Sequence, residues 1–453
     1  MDAHGKELVF KVLNHEPVDQ VPWVPFAGVH AGKLKGYTAT ELLTDKNRLI
    51  ECLLEANHLY HADGQPIVFD LQVEVEILGC ELVWVDKAPP AVNSHPLAAT
   101  QDIPEKIPQP NEGRLPIILD ACSALRNEVG EQTALFGLVT GPLTLASHLR
   151  GTGLFMDIIR DKNYVRSLLS YAKDVAIAMA GYYTSAGADI IAVVDPVVSQ
   201  ISPKAFTELL ADPFQDIFRA IKDTGLFTSF FVCGDATKNI EPICMTRPDS
   251  IFVDENIDMI AAKQITDQHD IILGGNIPLT RVMLYGTQQD NMQYVIGLLD
   301  DLGMSNLIIA PGCDMPYDIP PENVIGIEQA VHEPASVRKM LENYKAARTD
   351  EPFELPDYEH LDKLLIEVFT IDSAMCAACG YMVNLANSAK EKFGEAIDII
   401  EYKSIHIDNI KRAQTMGIKH MPCILINGKM KYSSIIPSQA EYFKEIETIL
   451  NNQ

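Results

Sequence analysis

The fold of this chain is decided by one stretch, residues 161–195, which reads DKNYVRSLLSYAKDVAIAMAGYYTSAGADIIAVVD. After Asp161, apolar residues recur every three or four positions as far as Tyr183, which predicts a helix with one buried face. Gly187 predicts the end of that helix. The apolar run Ala188–Asp195 then predicts a strand buried on both faces, as in a parallel sheet.

The same alternation continues from Val21 to about His332. Short apolar runs end in Gly, Asp, Asn or Cys and are followed by amphipathic segments. The runs are Val21–Phe26, Pro66–Asp70, Glu81–Val85, Leu135–Thr140, Ala188–Asp195, Phe227–Cys233, Ser250–Asp254, Ile271–Asn276 and Asn306–Gly312. Such alternation over about 250–300 residues favours a (β/α)8 TIM barrel over a doubly wound sheet. The predicted fold class is therefore α/β, with a barrel at residues 1–347, a linker at 348–362 and a small α/β domain at 363–453.

Composition excludes several classes of protein. The chain has 453 residues, 47% of them hydrophobic, and a net charge of −26, from 36 basic and 62 acidic side chains. This hydrophobic fraction argues against disorder, and the acidic balance argues against nucleic-acid binding. No apolar run approaches the roughly 20 residues that span a membrane, and the N-terminus has no export signal. We therefore expect a cytoplasmic protein, in which nine cysteines are too few for a disulfide scaffold.

Chemically active side chains stand where the predicted strands end. They are Asp70, Asp195, Cys233, Asp254, Glu255, Asn276 and Cys313. In a parallel barrel these positions converge at one mouth. Two thiols with a carboxylate suit zinc, whereas buried cysteines can equally be small apolar core residues. The spacing leaves both readings open.

Residues from about 10 to 332 resemble the uroporphyrinogen decarboxylase superfamily, and more closely its cobamide-dependent methyltransferase branch. The resembling stretches are FDLQVEVEILGC, GPLTLASHL, ADIIAVVDP with ISPKAF, VCGDATK, VDENIDM, GGNIP and APGCDMPYDIPPENV. The resemblance implies methyl transfer between a cobamide, carried by a separate corrinoid protein, and a small thiol. It also suggests catalytic roles for Asp195 and Asn276, and cofactor contacts for Asp70, Gly141 and Gly275, although these glycines can equally serve turns.

In that branch, zinc is held by a His-x-Cys pair and a distant Cys and activates the thiol. Cys233 matches the Cys of the pair and Cys313 the distant one, but Phe231 stands where the branch has its His. The site must therefore either recruit another ligand or bind metal weakly or not at all. The candidate ligands are Glu255, Asp254 and His30. The predicted metal site is Cys233, Cys313 and Glu255.

Two other functions remain as alternatives. Decarboxylases of the superfamily hold propionate groups with an N-terminal arginine-rich stretch, whereas residues 21–33 read VPWVPFAGVHAGK, without arginine. Asp70 matches their catalytic aspartate region only loosely. A non-catalytic corrinoid- or thiol-handling accessory protein is the second alternative, for which the missing His is the main argument. Methyl transfer ranks first.

The C-terminal region resembles the thioredoxin family. A predicted strand leads into Cys376-Ala-Ala-Cys379 at the start of a helix, and KHMPCILINGK at residues 419–429 resembles the family's cis-proline loop. The resemblance makes Met421–Pro422 a predicted cis bond beside the dithiol. A helix N-terminus lowers a thiol pKa, so Cys376 is the expected attacking thiolate and Cys379 the resolving one. A zinc half-site is the competing interpretation, although no second CxxC follows.

Joining a dithiol domain to the barrel raises its local concentration to about the millimolar range. In one hypothesis the dithiol keeps Cys233 and Cys313 reduced, or resolves a disulfide that they form. In the other, Cys376 or Cys379 accepts or relays the methyl group. The sequence is compatible with a monomer or a homodimer.

Overall fold

The computed structural model describes residues 5–345, 353–371, 377–418, 421–433 and 436–451, with the backbone alone for 377 and 378. The chain divides into two compact units: Met1–Val198 with Ser202–Ala346, and Ala347–Gln453 with Ser199–Ile201. Every helix in the described ranges is too short or too polar to cross a membrane.

The larger unit is built around a parallel sheet of seven strands, in the order β1-β4-β5-β6-β7-β8-β9. Two further strands, β2 and β3, form a separate antiparallel hairpin. The bounds are β1 Gly64–Pro66, β2 Leu82–Val85, β3 Ala88–Val92, β4 Ala134–Thr140, β5 Ile190–Val194, β6 Phe227–Val232, β7 Ser250–Val253, β8 Ile272–Ile277 and β9 Leu307–Pro311.

The segment around Trp23 joins the two edges of this sheet. Trp23 pairs in parallel with Ile309 of β9. On the other side, its carbonyl accepts a hydrogen bond of 3.0 Å from the backbone N–H of Asp63, next to β1. The sheet therefore curls on itself, as in a TIM-like barrel.

Sixteen helices of this unit lie in the described ranges, the first four of them before β1. They are α1 Lys6–Leu13, α2 His30–Lys35, α3 Ala39–Thr44, α4 Lys46–Tyr60, α5 Val73–Ile77, α6 Leu115–Glu128, α7 Pro142–Arg150, α8 Gly153–Arg160, α9 Lys162–Ala186, α10 Pro203–Leu209, α11 Ala211–Lys222, α12 Ile240–Cys244, α13 Met259–Gln268, α14 Gln288–Leu302, α15 Pro321–His332 and α16 Pro334–Leu341. Short 3-10 turns occur at Pro196–Gln200 and Thr237–Asn239, and a π-helical turn at Leu279–Leu284.

The predicted helix after Asp161 is confirmed as α9. The Asp161 side chain caps it by accepting from the backbone N–H of Tyr164, and Gly187 ends it with a φ of 104°. That left-handed conformation favours glycine, because a Cβ would clash there.

Three of the nine predicted strands differ from the observed ones. Pro66–Asp70 shares only Pro66 with the observed strand β1. Val21–Phe26 is reduced to the single bridge at Trp23. Glu81–Val85 was predicted among the barrel strands, but residues 82–85 form one arm of the β2–β3 hairpin instead. The residues of β2 are intermediate or exposed, whereas those of β4 and β5 are all buried. An apolar run therefore did not establish burial on both faces.

The smaller unit contains a four-stranded sheet in the order β11-β10-β12-β13. β10 is parallel to β11 and antiparallel to β12, which is antiparallel to β13. The elements are β10 Leu364–Thr370, α17 Ala377–Phe393, a 3-10 turn Gly394–Ala396, β11 Ile397–Lys403, α18 Ile407–Thr415, β12 Cys423–Ile426, β13 Lys429–Ser433 and α19 Gln439–Leu450. Apolar clusters cover both faces of β10 and β12.

Candidate functional site

The carboxyl ends of the barrel strands gather the predicted site residues at one mouth. Asp70 lies in the loop after β1, Asp195 directly after β5 and Cys233 directly after β6, while Cys313 follows the end of β9. Because β1 and β4 to β9 run parallel, these ends share one edge of the sheet. The sequence-predicted positions therefore come together in space.

Cys233 and Cys313 form a disulfide, with 6.1 Å between their Cα atoms. Both residues are half-buried and pack against the aromatic interior of the barrel. Glycines beside them let the loops approach. Gly234 has a φ of 81°. A Cβ on Gly312 would lie 2.7 Å from the backbone nitrogen of Glu255. The backbone therefore holds the two sulfur-bearing residues next to each other.

Phe231 belongs to the core of the barrel. Its ring stacks on Phe252 with 5.6 Å between centroids and meets the rings of Phe26 and Phe69 edge-on at 4.9 and 5.4 Å. The position at which the resembling branch has a histidine is thus filled by an apolar ring in a packed aromatic cluster. This cluster also closes the barrel interior below the mouth.

His30 is engaged at both ring nitrogens. Nε2 lies 2.6 Å from the Tyr60 hydroxyl, and Nδ1 lies 3.1 Å from the carbonyl oxygen of Tyr317. The side chain is fully buried, and burial lowers its pKa to about 4. A histidine with both nitrogens in hydrogen bonds is not free to bind a metal, so His30 does not replace the missing ligand.

Asp254 and Glu255 are the remaining candidate ligands. Oδ1 of Asp254 accepts a hydrogen bond of 2.9 Å from the backbone N–H of Asn256, whereas its buried Oδ2 has no hydrogen-bond partner among the described residues. The Glu255 carboxylate binds backbone. Oε2 accepts a hydrogen bond of 2.5 Å from the N–H of Leu279. Burial, together with the negative charge of Asp254, raises the pKa of Glu255 to about 7. Within the described ranges, no three His, Cys, Asp or Glu side chains are placed to hold a metal ion. Zinc takes three or four protein donors that point at one ion. Because Cys233, Cys313 and Glu255 are not placed in this way, they do not fit zinc in this arrangement.

Asp195 caps helix α7 from inside the barrel. Oδ2 accepts from the backbone N–H of Leu143 at 2.8 Å, and Oδ1 accepts from the backbone N–H and the hydroxyl of Thr144 at 3.0 and 2.6 Å. A Cβ on Gly141 would collide with the Asp195 side chain. Burial raises the pKa of Asp195 to about 7. The predicted catalytic residue Asp195 and the predicted cofactor contact Gly141 are therefore neighbours in one helix-capping unit.

Asn276 fixes the loop after β7. Its Nδ2 donates to the carbonyl oxygens of Asp254 and Ile257 at 2.9 and 2.8 Å. The preceding residue, Gly275, has a φ of 125°, and a Cβ there would lie 2.7 Å from the carbonyl oxygen of Val253. The Gly275–Asn276 peptide bond is cis. Both predicted residues thus hold the backbone beside Glu255.

Asp70 forms a buried ion pair that sequence reasoning missed. Oδ2 lies 2.5 Å from a guanidinium nitrogen of Arg114, whose Nε also donates to Glu76 at 2.7 Å. The guanidinium group stacks on Trp84, 4.9 Å from the ring centroid. The backbone N–H of Gln72 donates to the other Asp70 oxygen at 2.9 Å. The negative charge of Asp70 is thereby balanced by the Arg114 guanidinium group, and the carboxylate is held in place.

Asp314 is a second residue that was missed, although it follows Cys313 in the APGCDMP motif. It is buried, and its Oδ1 accepts from the backbone N–H of Gly28 at 2.9 Å. Burial raises the pKa of Asp314 well above its ordinary value. A carboxylate inside an otherwise apolar and glycine-containing motif was the available signal for this residue.

In the smaller unit, Cys376 lies outside the described residues. Cys379 is buried within α17. The Met421–Pro422 peptide bond is cis, as predicted. Cys423 follows it and pairs with Phe369 across β12 and β10, and burial raises its pKa to about 12.

Comparison with known proteins identifies the larger unit. The family model described as uroporphyrinogen decarboxylase (URO-D) matches residues 4–334. A methylcobamide:CoM methyltransferase, MtbA, of Methanosarcina acetivorans is 30% identical over 329 residues, covering 70% of this chain and 95% of the relative. A uroporphyrinogen decarboxylase of a Nostoc species is 26% identical over 284 residues, covering 61% of this chain and 80% of the relative.

A solved structure shares the fold of the same unit. It is a methyltransferase from Methanosarcina mazei, with a TM-score of 0.65 and 24% identity, and the match covers 74% of this chain and 98% of the other. Together with the family match over residues 4–334, this shows that the chain belongs to the uroporphyrinogen decarboxylase (URO-D) family.

Proposed function

We propose that this protein is a corrinoid-dependent methyltransferase that moves a methyl group between a cobamide and a thiol. The cobamide would be presented by a separate corrinoid protein, and the acceptor would be a small thiol. The observation that carries the proposal is the pair Cys233 and Cys313 at one mouth, 6.1 Å apart at Cα. Its support from relatives is the 30% identity to a methylcobamide:CoM methyltransferase over nearly the whole of that protein.

The chemistry requires a sulfur nucleophile at the mouth. The acceptor thiol would release its proton to solvent and attack the methyl carbon as a thiolate, and the electron pair of the broken bond would stay with the cobamide. The aromatic cluster around Phe231 and Phe252 fills the barrel below. Methyl transfer would therefore take place above this apolar floor, beside the two cysteines.

Decarboxylation of the uroporphyrinogen type is the rival activity on this fold. The ion pair of Asp70 with Arg114 disfavours it, because the carboxylate is already bound by a guanidinium group. The absence of arginine in residues 21–33 points the same way. A non-catalytic accessory protein for corrinoids or thiols is the other alternative.

Zinc has no step in this proposal, because the described residues offer Cys233 and Cys313 without a third donor. Elemental analysis of anaerobically purified protein tests this point. Stoichiometric zinc that disappears in Cys313→Ser would restore the metal site expected from the sequence.

We further propose that residues 363–453 are a thioredoxin-like domain, joined to the barrel domain of residues 1–347 by a linker at 348–362. The support is the mixed sheet of the smaller unit, in the order β11-β10-β12-β13, together with the CxxC sequence at residues 376–379 and Pro422 just before β12. Cys376 would be its attacking thiol and Cys379 its resolving thiol. We place the whole protein in the cytoplasm.

A demethylation assay tests the proposed function. Reduced full-length protein would be mixed anaerobically with methylcobalamin and a panel of small thiols, and both the loss of methyl–cobalt absorbance and the S-methyl product would be followed. We expect turnover that needs both thiol and protein and that Cys313→Ser loses. Cys244→Ala, a change at a buried cysteine in α12, is the matched control.

Other outcomes would assign the protein differently. Release of CO₂ from a carboxylated substrate without any corrinoid would favour the decarboxylase. Binding of methylcobalamin without turnover with any thiol would favour the accessory protein.

A further inference from the structure

We propose that Cys233 and Cys313 are a reversible dithiol–disulfide couple that exchanges electrons with a protein dithiol, and are not two ligands of a metal ion. The inference concerns the two sulfurs themselves. It therefore holds or fails independently of the proposed methyl transfer.

The barrel backbone sets the distance between the two cysteines. They follow β6 and β9, which are separated in the sheet by β7 and β8. The Cα separation of 6.1 Å falls within the range of about 4.4–6.8 Å that disulfides occupy. Gly234 and Gly312 permit the two turns that bring the residues this close. Because the strands fix these turns, reducing the bond leaves two thiols that face each other.

The surroundings of the pair suit a redox couple better than a metal site. The third ligand position is occupied by Phe231, which is fully buried among aromatic rings. His30 binds Tyr60 and Tyr317, and Glu255 binds the backbone of Leu279. Among the described residues no group of three His, Cys, Asp or Glu side chains is placed to hold a metal ion, so the two facing thiols can pair with each other.

Accessibility separates this pair from four other cysteines of the barrel. Cys233 and Cys313 are half-buried, whereas the others are buried. Burial raises the thiol pKa of each of these four to about 12; they are Cys52, Cys80, Cys122 and Cys244. Since exchange needs a thiolate as the attacking group, these four thiols would not attack the Cys233–Cys313 bond, whereas an added dithiol can reach its half-buried sulfurs.

A dithiol reductant would reduce the Cys233–Cys313 bond in two steps. A thiolate of the reductant attacks one sulfur of the Cys233–Cys313 bond, which breaks and leaves a mixed disulfide and one cysteine thiolate. The second thiol of the reductant then attacks the mixed disulfide and releases the other cysteine. Two electrons pass to the pair, two protons end on its sulfurs, and the reductant leaves as a disulfide. The chain itself carries a dithiol of this chemical class, Cys376 with Cys379.

A redox titration of the full-length protein tests the inference. Samples would be equilibrated anaerobically in buffers of varied reduced to oxidised dithiothreitol, quenched with acid, denatured and labelled with a maleimide. Peptide mass spectrometry then reads each cysteine. As the ratio of reduced to oxidised dithiothreitol falls about 80-fold, we expect the labelled fraction of Cys233 and of Cys313 to fall together from about 90% to about 10%. Cys122 should be labelled at every ratio.

Single substitutions show whether the two cysteines pair with each other. In Cys233→Ser, Cys313 should stay labelled throughout, and Cys313→Ser should do the same for Cys233. Full labelling of both cysteines in the most oxidising buffer of the wild-type series would overturn the couple, and this reading needs no variant. Independent loss of the two labels would also overturn it. The titration involves no methyl transfer, so its failure is distinct from a negative demethylation assay.

Discussion

Arg114 and Asp70 form an ion pair at the mouth of the barrel, with 2.5 Å between their side chains and with 7% and 0% of those side chains exposed. When two opposite charges are buried together, their attraction compensates the cost of removing them from water only as long as both charges are present. The pair therefore explains how an acidic chain places a carboxylate after β1 without leaving that charge alone in the interior.

Arg114→Ala should destabilise the barrel by about 3–5 kcal/mol, because it leaves the buried Asp70 without its counter-charge. Urea unfolding followed by circular dichroism measures this change. Arg338→Ala is the matched control, since Arg338 pairs with Asp300 at an exposed site and should cost about 1 kcal/mol or less. Equal losses in the two variants would contradict the assigned role of Arg114.

His332 should make the stability of the barrel depend on pH. Burial opposes its charge, but hydrogen bonds with Asp63 at 2.9 Å and Glu328 at 3.0 Å outweigh burial and raise its pKa to about 9. A pKa raised by folding stabilises the folded state below the unfolded value of 6.5, and this stabilisation is lost as the pH rises through 9.

Between pH 6.5 and 9, the contribution of His332 to the free energy of unfolding should fall by on the order of 3 kcal/mol. The variant His332→Asn should lack this fall. Urea unfolding at several pH values in this interval measures it. His58→Asn, at an exposed position of α4, is the control and should retain the wild-type slope. A wild-type slope in His332→Asn would refute the prediction.

The parts of the structure that could be predicted are those with local causes. Helix α9 follows from its apolar spacing, from the Asp161 cap and from Gly187. The clustering of Cys233 and Cys313 follows from the rule that parallel strands end at one edge. Burial on both faces is a tertiary property, which is why Glu81–Val85 was wrongly placed in the barrel.

The contacts of the predicted site residues could not be read from the sequence. Arg114 is 44 positions from Asp70 and precedes α6 without a motif that marks it. Asp195 ends a strand as catalytic residues of barrels do, yet its three donors come from the first turn of α7. A pattern locates such a carboxylate at the mouth, whereas its hydrogen-bond partners depend on how the next helix packs.

Asp195→Asn should destabilise the protein by about 1–3 kcal/mol, because the amide NH₂ group cannot accept hydrogen bonds from the first turn of α7. Asp161→Asn is a matched control at the cap of α9, where asparagine caps about as well as aspartate. Its effect should stay within about 0.5 kcal/mol. Urea unfolding compares the two, and a neutral Asp195→Asn would argue against the capping role.

Methyl transfer should not modify the C-terminal dithiol. Cys379 is fully buried in α17, so its sulfur is screened from a bulky methyl donor. After incubation of the reduced protein with methylcobalamin and a small thiol, we expect S-methyl product in solution and unmodified Cys376 and Cys379. Peptide mass spectrometry reads both cysteines, and a methyl group on either would support the alternative in which the dithiol relays it.

Methyl-transfer activity should follow the reduction of Cys233 and Cys313. In the disulfide, neither sulfur is a thiol, and the bond ties the ends of β6 and β9 together where the proposed reaction places the acceptor thiol. Oxidised protein should therefore show less than about a tenth of the reduced activity, a barrier difference of about 1.4 kcal/mol or more. Measuring demethylation on the same samples as the maleimide titration tests this. Activity should rise over the ratios at which the two labels appear, and Cys244→Ala should follow the same curve. Equal activity in oxidised and reduced protein would separate the couple from catalysis.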